Sequence, residues 1–365
     1  MIYLDNNATT PLDPDVLDEM MLDFGHEPYN PSSPHALGRK AKALLSRARE
    51  TIAECFGCSP SELIFTSGGS ESMTCAIQGL YRGGRILTTQ IEHSCILNTV
   101  KSLFVDYVPV DAHGAPPPDA IEAAITSETS LLVFSAVNGE TGVMIDLEAI
   151  SEIAMRYKLP LIIDGVALLG RAPLTLYPGI TAMAFSAHKI HGPKGCGLLY
   201  LKRGARLTPL IKGGGQESNM RAGTENLAGI LGLAKAITLA TDFDHLQLLQ
   251  TRFETPLLEL GAQINGTGPR ISNVSNIYLP NADGETLLMQ LDQKGICVSH
   301  GSACSSGTLQ LSHVLTAMGY AKERVQSSLR FSFSRMNTLD EIEQTLTHLA
   351  RLWHAHRTLN TGMVS

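Results

Sequence analysis

Short apolar runs recur along the first 201 residues, and most are separated by stretches in which apolar residues have helical spacing. The runs are typical of buried strands, and they cover residues 63–65, 86–88, 131–134, 161–163, 183–185 and 198–201. Helical spacing is found, for example, at residues 34–53 and 147–157. This alternation predicts an α/β fold with a mostly parallel sheet that has helices on both faces.

Polar and glycine-containing segments directly follow several of the predicted strands. They are Ser67-Gly68-Gly69, Asn138-Gly139, Asp164 and residues 186–189. Ligands of such sheets bind beyond the carboxyl ends of the strands. The sequence therefore predicts one ligand site, built from residues that are far apart along the chain.

The pattern changes after about residue 250, where shorter strands are predicted at residues 271–279, 296–298 and 329–333. The last helix is expected to begin at Thr338, with Glu341 completing a capping box. We interpret its single apolar stripe as a core face, formed by Leu339, Ile342, Leu346, Leu349 and Trp353. We expect a large α/β domain at residues 15–250 and a small α+β domain made of residues 1–14 and 251–365.

Composition narrows the class of protein. The chain has 365 residues, 44% of them apolar, and a formal net charge of −7, so no basic surface indicates nucleic-acid binding. No apolar run has the length of a membrane span, and the first residues lack the basic region of a secretory signal. Seven cysteines, an odd number in mixed contexts, favour free thiols in a reducing, cytoplasmic compartment.

Lys189 and Asp164 are the pair of residues that is most informative about chemistry. Each follows a short apolar run, and Lys189 lies within the small and polar segment SAHKIHGPKG at residues 186–195. Pyridoxal phosphate forms a Schiff base with a lysine and needs a carboxylate at its ring nitrogen. The pair therefore predicts a pyridoxal phosphate site.

A glycine- and serine-rich turn, Ser67-Gly68-Gly69-Ser70, follows a predicted strand and opens a helix. The backbone amides at such a helix start bind anions, although many turns of this composition have no ligand. Ser186 and His188 offer further donors beside Lys189. Together these residues predict a binding site for the cofactor phosphate.

Two further residues have open alternatives. His93 follows a strand, where a histidine more often caps or packs, but an imidazole near a pyridine ring can stack on it and move protons. Arg330 lies in a short apolar strand and therefore needs an anionic partner. A substrate carboxylate would be a bidentate one.

Cys304 lies in the segment GSACSSG at residues 301–307, where every neighbour is small or polar. Most free cysteines behave as small hydrophobic residues, but this composition predicts a solvent-reachable loop. We therefore interpret Cys304 as a reactive thiol. Cys55 and Cys58 have CxxC spacing without a second pair to complete a zinc site, and no metal site is expected.

Taken together, these motifs resemble those of cysteine desulfurases in the NifS/IscS-like branch of the class V aminotransferases. The resemblance runs over nearly the whole chain. It includes YLDNNATTP at residues 3–11, NPSSPH at 30–35, SAHKIHGPKG at 186–195, the turn at 213–224, the loop at 301–307, SHV at 312–314 and AMG at 317–319. It implies a homodimeric fold-type-I pyridoxal phosphate enzyme with a seven-stranded, mostly parallel sheet and a smaller C-terminal α+β domain.

The resemblance also implies roles for the cofactor site. Lys189 would bind the cofactor covalently, Asp164 would keep the pyridine nitrogen protonated, and His93 would stack on the ring. The other expected cofactor contacts are Gly69, Ser70, Asn138, Val166, Ser186 and His188. Thr224 would reach the phosphate in the partner subunit of the homodimer.

The implied reaction is the conversion of L-cysteine to L-alanine. Asn138 and Arg330 would orient the substrate α-carboxylate, and Cys304 would accept the sulfur as a persulfide. An acceptor or scaffold protein would then receive it for iron–sulfur clusters, other sulfur cofactors or tRNA.

The chain departs from the family pattern at three positions. Ala167 stands where the family usually has a glutamine that donates a hydrogen bond to the phenolic oxygen of the cofactor. Gly139 replaces a second asparagine, and Ser334 replaces a glycine. Two other functions stay open at this point: a related lyase or aminotransferase in which Cys304 is incidental, and a degenerate scaffold that binds partners without catalysis.

Overall fold

The computed structural model describes residues 1–23, 28–240, 243–301 and 311–361. Its strands are β1 (Ile2–Tyr3), β2 (Leu63–Thr66), β3 (Arg85–Thr89), β4 (Val105–Val108), β5 (Thr129–Ser135), β6 (Leu161–Asp164), β7 (Ile180–Ser186), β8 (Gly197–Leu201), β9 (Gln263–Ile264), β10 (Val274–Tyr278), β11 (Ile296–Cys297) and β12 (Ser328–Ser332). Its helices are α1 (Pro14–Met20), α2 (Ala36–Phe56), α3 (Gly69–Leu80), α4 (Ser94–Val100), α5 (Pro118–Ala124), α6 (Leu147–Tyr157), α7 (Leu227–Leu239), α8 (Phe243–Glu259), α9 (Gly284–Asp292), α10 (His313–Ala317), α11 (Lys322–Gln326) and α12 (Leu339–Thr361).

A seven-stranded sheet forms the centre of the molecule, in the order β2-β8-β7-β6-β5-β3-β4. The strands from β7 to β4 pair in parallel, whereas β8 runs antiparallel to both β7 and β2. The expectation of an α/β fold with a mostly parallel, seven-stranded sheet is confirmed. Strand β4 at the edge of the sheet was not predicted.

Both faces of this sheet are buried, which explains why its strands are continuous apolar runs. In β5, Leu132 and Phe134 pack in the core on one side, and Leu131 and Val133 pack in the core on the other. Successive strand side chains point to opposite faces, so one short run supplies both cores.

The ends of helix α2 show how the sequence limits an element. The His35 side chain accepts a hydrogen bond from the Gly38 N–H at the first turn. Gly57 ends the helix in the left-handed conformation, with φ of 66°, which glycine adopts without steric cost. The predicted helix at residues 34–53 is therefore displaced by only two or three residues at each end.

A second core lies between the three-stranded sheet β12-β10-β9 and helices α8 and α12. Phe253 on α8 contacts the rings of Phe331 and Phe333, with centroids 4.6 and 5.5 Å apart. The apolar stripe of the last helix packs here as predicted, and Trp353 is 2% exposed. The capping box is also present: Glu341 N–H donates to Thr338 Oγ1 at 3.3 Å, and Thr338 N–H donates to Glu341 Oε2 at 3.0 Å.

The N-terminal segment connects this second core to the central sheet. Strand β1 pairs in parallel with β11, and Leu4 is fully buried in the second core. The chain then passes the end of β7, where Thr10 N–H donates to the His188 carbonyl at 2.9 Å. Helix α8 spans residue 250, and the domain limits at residues 14 and 250 stay a prediction. None of the helices within the described ranges is both long and apolar enough to cross a membrane.

Candidate cofactor site

A cavity of about 260 Å³ lies beyond the carboxyl ends of strands β3, β5, β6 and β7. Nearly all of the residues singled out from the sequence line it: Gly69, Ser70, His93, Asn138, Asp164, Val166, Ala167, Ser186, His188, Lys189 and Arg330. The edge of the parallel sheet brings them together from positions more than 250 residues apart.

Asp164 is the last residue of β6, and its side chain is buried in the wall of this cavity. The Val166 N–H donates to its Oδ1 at 2.9 Å, which fixes the orientation of the carboxyl group. Burial raises the pKa of Asp164, and the nearby charges of His93 and Lys189 oppose that rise. A buried carboxylate in this position is suited to a cationic ring nitrogen.

Lys189 ends a short 3-10 turn, Ala187–Lys189, that directly follows β7. Its Nζ donates to the carbonyl oxygens of Asn7 and, at 2.9 Å, Ala8. The N-terminal segment thus holds the amine against the cavity. The predicted pair of Lys189 and Asp164 does occupy one cavity.

The first turn of helix α3 forms an anion cradle. Gly68 is the N-cap and supplies no side-chain acceptor for the first amides of the helix. Gly69 and Ser70 line a cleft of about 350 Å³ together with Ser186 and His188. A Cβ on Gly69 would lie 2.7 Å from Cγ2 of Val166. Only glycine therefore lets the backbone approach this closely.

Two neighbouring ionisable side chains, Glu71 and His188, are compatible with an anion in that cleft. Glu71 in the same turn is occupied by the Ser67 N–H at 2.8 Å and by the Arg221 guanidinium at 2.9 Å. Burial and the charge of Lys189 lower the pKa of His188 to about 4, so this imidazole is neutral at pH 7. Its Nδ1 lies 3.1 Å from Thr9 Oγ1.

His93 both caps a helix and lines the cavity. Its Nδ1 accepts the Cys95 N–H at 3.2 Å at the start of α4, and Cys95 Sγ lies 3.0 Å from the same atom. Because Nδ1 is an acceptor, the proton of the neutral imidazole is placed on Nε2. The two interpretations of His93 are therefore compatible.

Arg330 has an anionic partner within the chain: its Nη2 lies 2.8 Å from Oδ1 of Asp5. Nη1 donates to the Gly139 carbonyl at 3.3 Å, whereas Nε is buried and has no hydrogen-bond partner among the described residues. The Asn138 side chain bonds mainly to backbone, with Nδ2 donating to Ile91 O at 2.9 Å and Oδ1 accepting from Glu140 N–H at 2.9 Å. An incoming carboxylate would therefore find an unsatisfied donor on Arg330.

The structure places three charged residues at the cavity that sequence reasoning missed: Glu92, Glu140 and Arg171. Glu92 accepts from Thr89 Oγ1 at 2.6 Å and from Ser135 Oγ at 2.5 Å. Burial raises the pKa of Glu92 to about 7. The position of Glu92 directly before His93 was the only signal in the sequence.

Of the predicted site residues that the structure describes, Thr224 alone does not line this cavity. Thr224 is exposed and does not line it. Cys304 lies outside the described residues, so its proposed thiol chemistry stays a prediction.

The cavity matches pyridoxal phosphate at three separate points. A buried carboxylate suits the ring nitrogen, a lysine amine suits the aldehyde, and the open amides of α3 suit the phosphate. Glu71, the acidic residue in the first turn of α3, is already paired with Arg221 and therefore does not oppose phosphate binding. The residues that are present therefore fit this cofactor.

Comparison with known proteins agrees with that fit. The family model described as "Aminotransferase class-V" matches residues 2–345. The chain is 37% identical to a cysteine desulfurase IscS of Dictyoglomus turgidum over 98% of this chain and 96% of that protein. It is 41% identical to cysteine desulfurase 2 of Trichormus variabilis over 95% of this chain and 91% of that protein.

Solved structures give the same result. The NifS-like protein from Rickettsia africae is 32% identical and superimposes with a TM-score of 0.87 over 97% of this chain and 99% of that chain. A protein described as SspA in complex with cysteine is 31% identical and has a TM-score of 0.82 over 91% of this chain and 99% of that chain.

Proposed function

Because this chain belongs to the class V aminotransferase family, we propose that it is a pyridoxal-phosphate-dependent cysteine desulfurase. Its reaction is L-cysteine plus the Cys304 thiol giving L-alanine plus a Cys304 persulfide. The observation that carries this proposal is the shared cavity of Lys189, Asp164 and the amides of α3. The relatives that are similar over nearly the full chain and are named cysteine desulfurases support it.

The described residues would hold the cofactor at its aldehyde, its ring nitrogen and its phosphate. Lys189 would bind it covalently, Asp164 would pair with the ring nitrogen, and His93 and Val166 would border the ring. Gly69, Ser70, Ser186 and His188 would hold the phosphate. When bound, pyridoxal phosphate withdraws electrons from the substrate Cα and so makes that carbon acidic.

The residues around the substrate have separate tasks. The amine of Lys189 removes and returns the proton at Cα, and the carbonyls of Asn7 and Ala8 orient it. Arg330 binds the α-carboxylate, and its Nε, which has no partner within the described part of the chain, supports that role. Asn138 lines the same wall and orients the substrate together with Arg330.

Cys304 takes the sulfur, and an acceptor or scaffold protein receives it for iron–sulfur clusters or other sulfur-containing products. The enzyme acts as a homodimer in which Thr224 contributes to the partner's phosphate site. The exposure of Thr224, away from the cavity of its own chain, supports this arrangement. The described cysteines are all free thiols, which supports a reducing, cytoplasmic location.

The deciding experiment incubates the purified protein with pyridoxal phosphate, L-cysteine and dithiothreitol, and measures alanine and sulfide. The wild type is expected to form both in equal amounts, and Cys304→Ser is expected to form neither. Cys55→Ser is the matched control, because Cys55 is an exposed thiol outside the cavity. Its rate is expected to equal that of the wild type.

The same assay separates the other two functions. Sulfide release that persists in Cys304→Ser would indicate a lyase in which this thiol is incidental. A wild type that forms no alanine from cysteine would indicate a scaffold without catalysis. Either result would overturn the proposal.

A further inference from the structure

Arg171 is a buried cation in the wall of the cofactor cavity. Arg171 is 6% exposed and lines the cavity together with Ala167 and Lys189. No Asp or Glu of the described residues forms an ion pair with it. A guanidinium is seldom buried without an anion, because the loss of its hydration is costly.

The contacts of Arg171 satisfy only part of its donor capacity. Nη1 donates to the Ala167 carbonyl at 3.4 Å, and Nη2 donates to the carbonyls of Asn6 at 3.3 Å and Lys189 at 3.2 Å. These hydrogen bonds are long, and their acceptors are neutral. A guanidinium has five N–H donors, so further donors remain for a ligand.

The electrostatic surroundings also favour an anion next to Arg171. Burial and the nearby charge of Arg330 lower the pKa of Arg171 to about 9, which shows how little negative charge compensates it. Asp5 is bound to Arg330 rather than to Arg171. A negatively charged ligand group at this wall would stabilise the guanidinium.

The cofactor carries one anionic group that still lacks a charged partner. Its phosphate belongs to the cleft at α3, which Arg171 does not line, and its ring nitrogen belongs to Asp164. The remaining group is the ring oxygen, which flanks the aldehyde carbon on the side opposite the phosphate arm. The family resemblance implies that residue 167 faces this oxygen, and the methyl group of Ala167 cannot donate a hydrogen bond. Ala167, Lys189 and Arg171 line the same cavity.

We propose that Arg171 binds the anionic ring oxygen of the cofactor and supplies the donor that Ala167 lacks. Arg171 thus binds the cofactor in addition to donating hydrogen bonds to three backbone carbonyls. The inference rests on the proposed cofactor, but not on the desulfuration step or on Cys304.

The test uses the apoprotein and two ligands that cannot form a Schiff base: pyridoxine 5′-phosphate, and its methyl ether at the ring oxygen. Binding is measured by calorimetry at pH 7.5. Arg171→Met is expected to weaken binding of pyridoxine phosphate on the order of 10- to 100-fold, as for a hydrogen bond to a charged group. The same substitution is expected to change the affinity for the methyl ether by less than about twofold, because that ligand has no anionic ring oxygen with which Arg171 could interact.

A second substitution separates binding from a structural role. Ala167→Gln introduced into Arg171→Met is expected to restore affinity for pyridoxine phosphate alone, since an amide donor then replaces the guanidinium. Arg270→Met is the control, because the Arg270 side chain is 17% exposed and pairs with Glu254 away from the cavity. It is expected to leave both affinities unchanged.

Thermal unfolding of each apoprotein shows whether the fold is retained, and Arg171→Lys replaces Arg171→Met if the latter does not fold. Lysine keeps the charge but loses the planar fork, so a selective loss for pyridoxine phosphate is still expected. Equal losses for both ligands, no loss for either, or no rescue by Ala167→Gln would overturn the proposal. These binding measurements involve no cysteine, so they can fail while the desulfurase assay succeeds.

Discussion

The guanidinium of Arg330 is held by Asp5, with Nη2 and Oδ1 2.8 Å apart, although 325 residues separate the two in sequence. The side chains of Arg330 and Asp5 are 5% and 19% exposed. The pair joins strand β12 to the N-terminal segment whose next residues, Asn7 and Ala8, bind the amine of Lys189. One ion pair therefore links the proposed substrate carboxylate site at Arg330 to Lys189.

Asp5→Asn is expected to raise KM for L-cysteine about tenfold with a smaller effect on kcat, because Arg330 loses its orienting charge but keeps its place in β12. Steady-state alanine formation measures both constants. Asp106→Asn is the control, since Asp106 also pairs with an arginine but lies away from the cavity. If KM is the same in Asp5→Asn and the wild type, Asp5 does not orient the substrate site.

Lys189→Ala is expected to abolish covalent retention of the cofactor. Borohydride treatment of the wild type incubated with pyridoxal phosphate should add the reduced cofactor to its mass, because the Schiff base becomes a stable secondary amine. The mass of Lys189→Ala should not change. Lys202→Ala serves as control, since Lys202 donates to the Pro178 carbonyl on the exposed surface, and it should gain the same mass as the wild type.

The predicted strands and the residues at their ends were accessible from the sequence because they are local features. Strands β6 and β7 contain continuous apolar runs, and Asp164 and Lys189 interrupt the pattern at or just beyond their carboxyl ends. Strand β4 was missed because Val105–Val108 mixes apolar and polar residues at the edge of the sheet, where Tyr107 is 38% exposed.

The residues that sequence reasoning missed depend on contacts between distant segments. The sequence around Asp5 gives no sign of an ion pair with Arg330, and the sequence around Arg171 gives no sign that it is buried beside Lys189. Asn138 was expected to contact both the cofactor and the substrate, and its described bonds show that it also fixes the loops at Ile91 and Glu140. Burial and partners, which decide the charge and the role of such groups, are properties of the fold.

Gly69→Ala is expected to weaken binding of pyridoxine 5′-phosphate about tenfold, because the new Cβ would lie 2.7 Å from Cγ2 of Val166 and displace the cradle. Val166→Ala in the same chain removes that methyl group and is expected to restore most of the affinity. Calorimetry on the apoproteins measures both effects. Failure of the double substitution to recover affinity would show that Gly69 is needed for another reason.

Glu92 is expected to make the apoprotein less stable as pH rises. Its pKa is raised from 4.5 to about 7 in the folded state, so between these values the folded state binds the proton that the unfolded state releases. The contribution of Glu92 to the free energy of unfolding is thus full below pH 4.5 and declines up to about pH 7. The decline amounts to about 3 kcal/mol at most, at 1.36 kcal/mol per unit of pKa.

Glu92→Gln keeps one acceptor oxygen for the two Ser135 donors, and its amide faces the Thr89 hydroxyl, which can accept. It cannot ionise, so its free energy of unfolding should fall less between pH 5 and pH 8 than that of the wild type. Urea unfolding at one-unit pH intervals measures the difference. Asp164 and Glu140 also have raised pKa values, and their share of the slope should persist in the variant. Glu152→Gln is the control, because Glu152 is exposed on α6. Its free energy of unfolding should change with pH as that of the wild type does. Parallel curves for Glu92→Gln and the wild type would mean that Glu92 is ionised in the folded protein throughout this range.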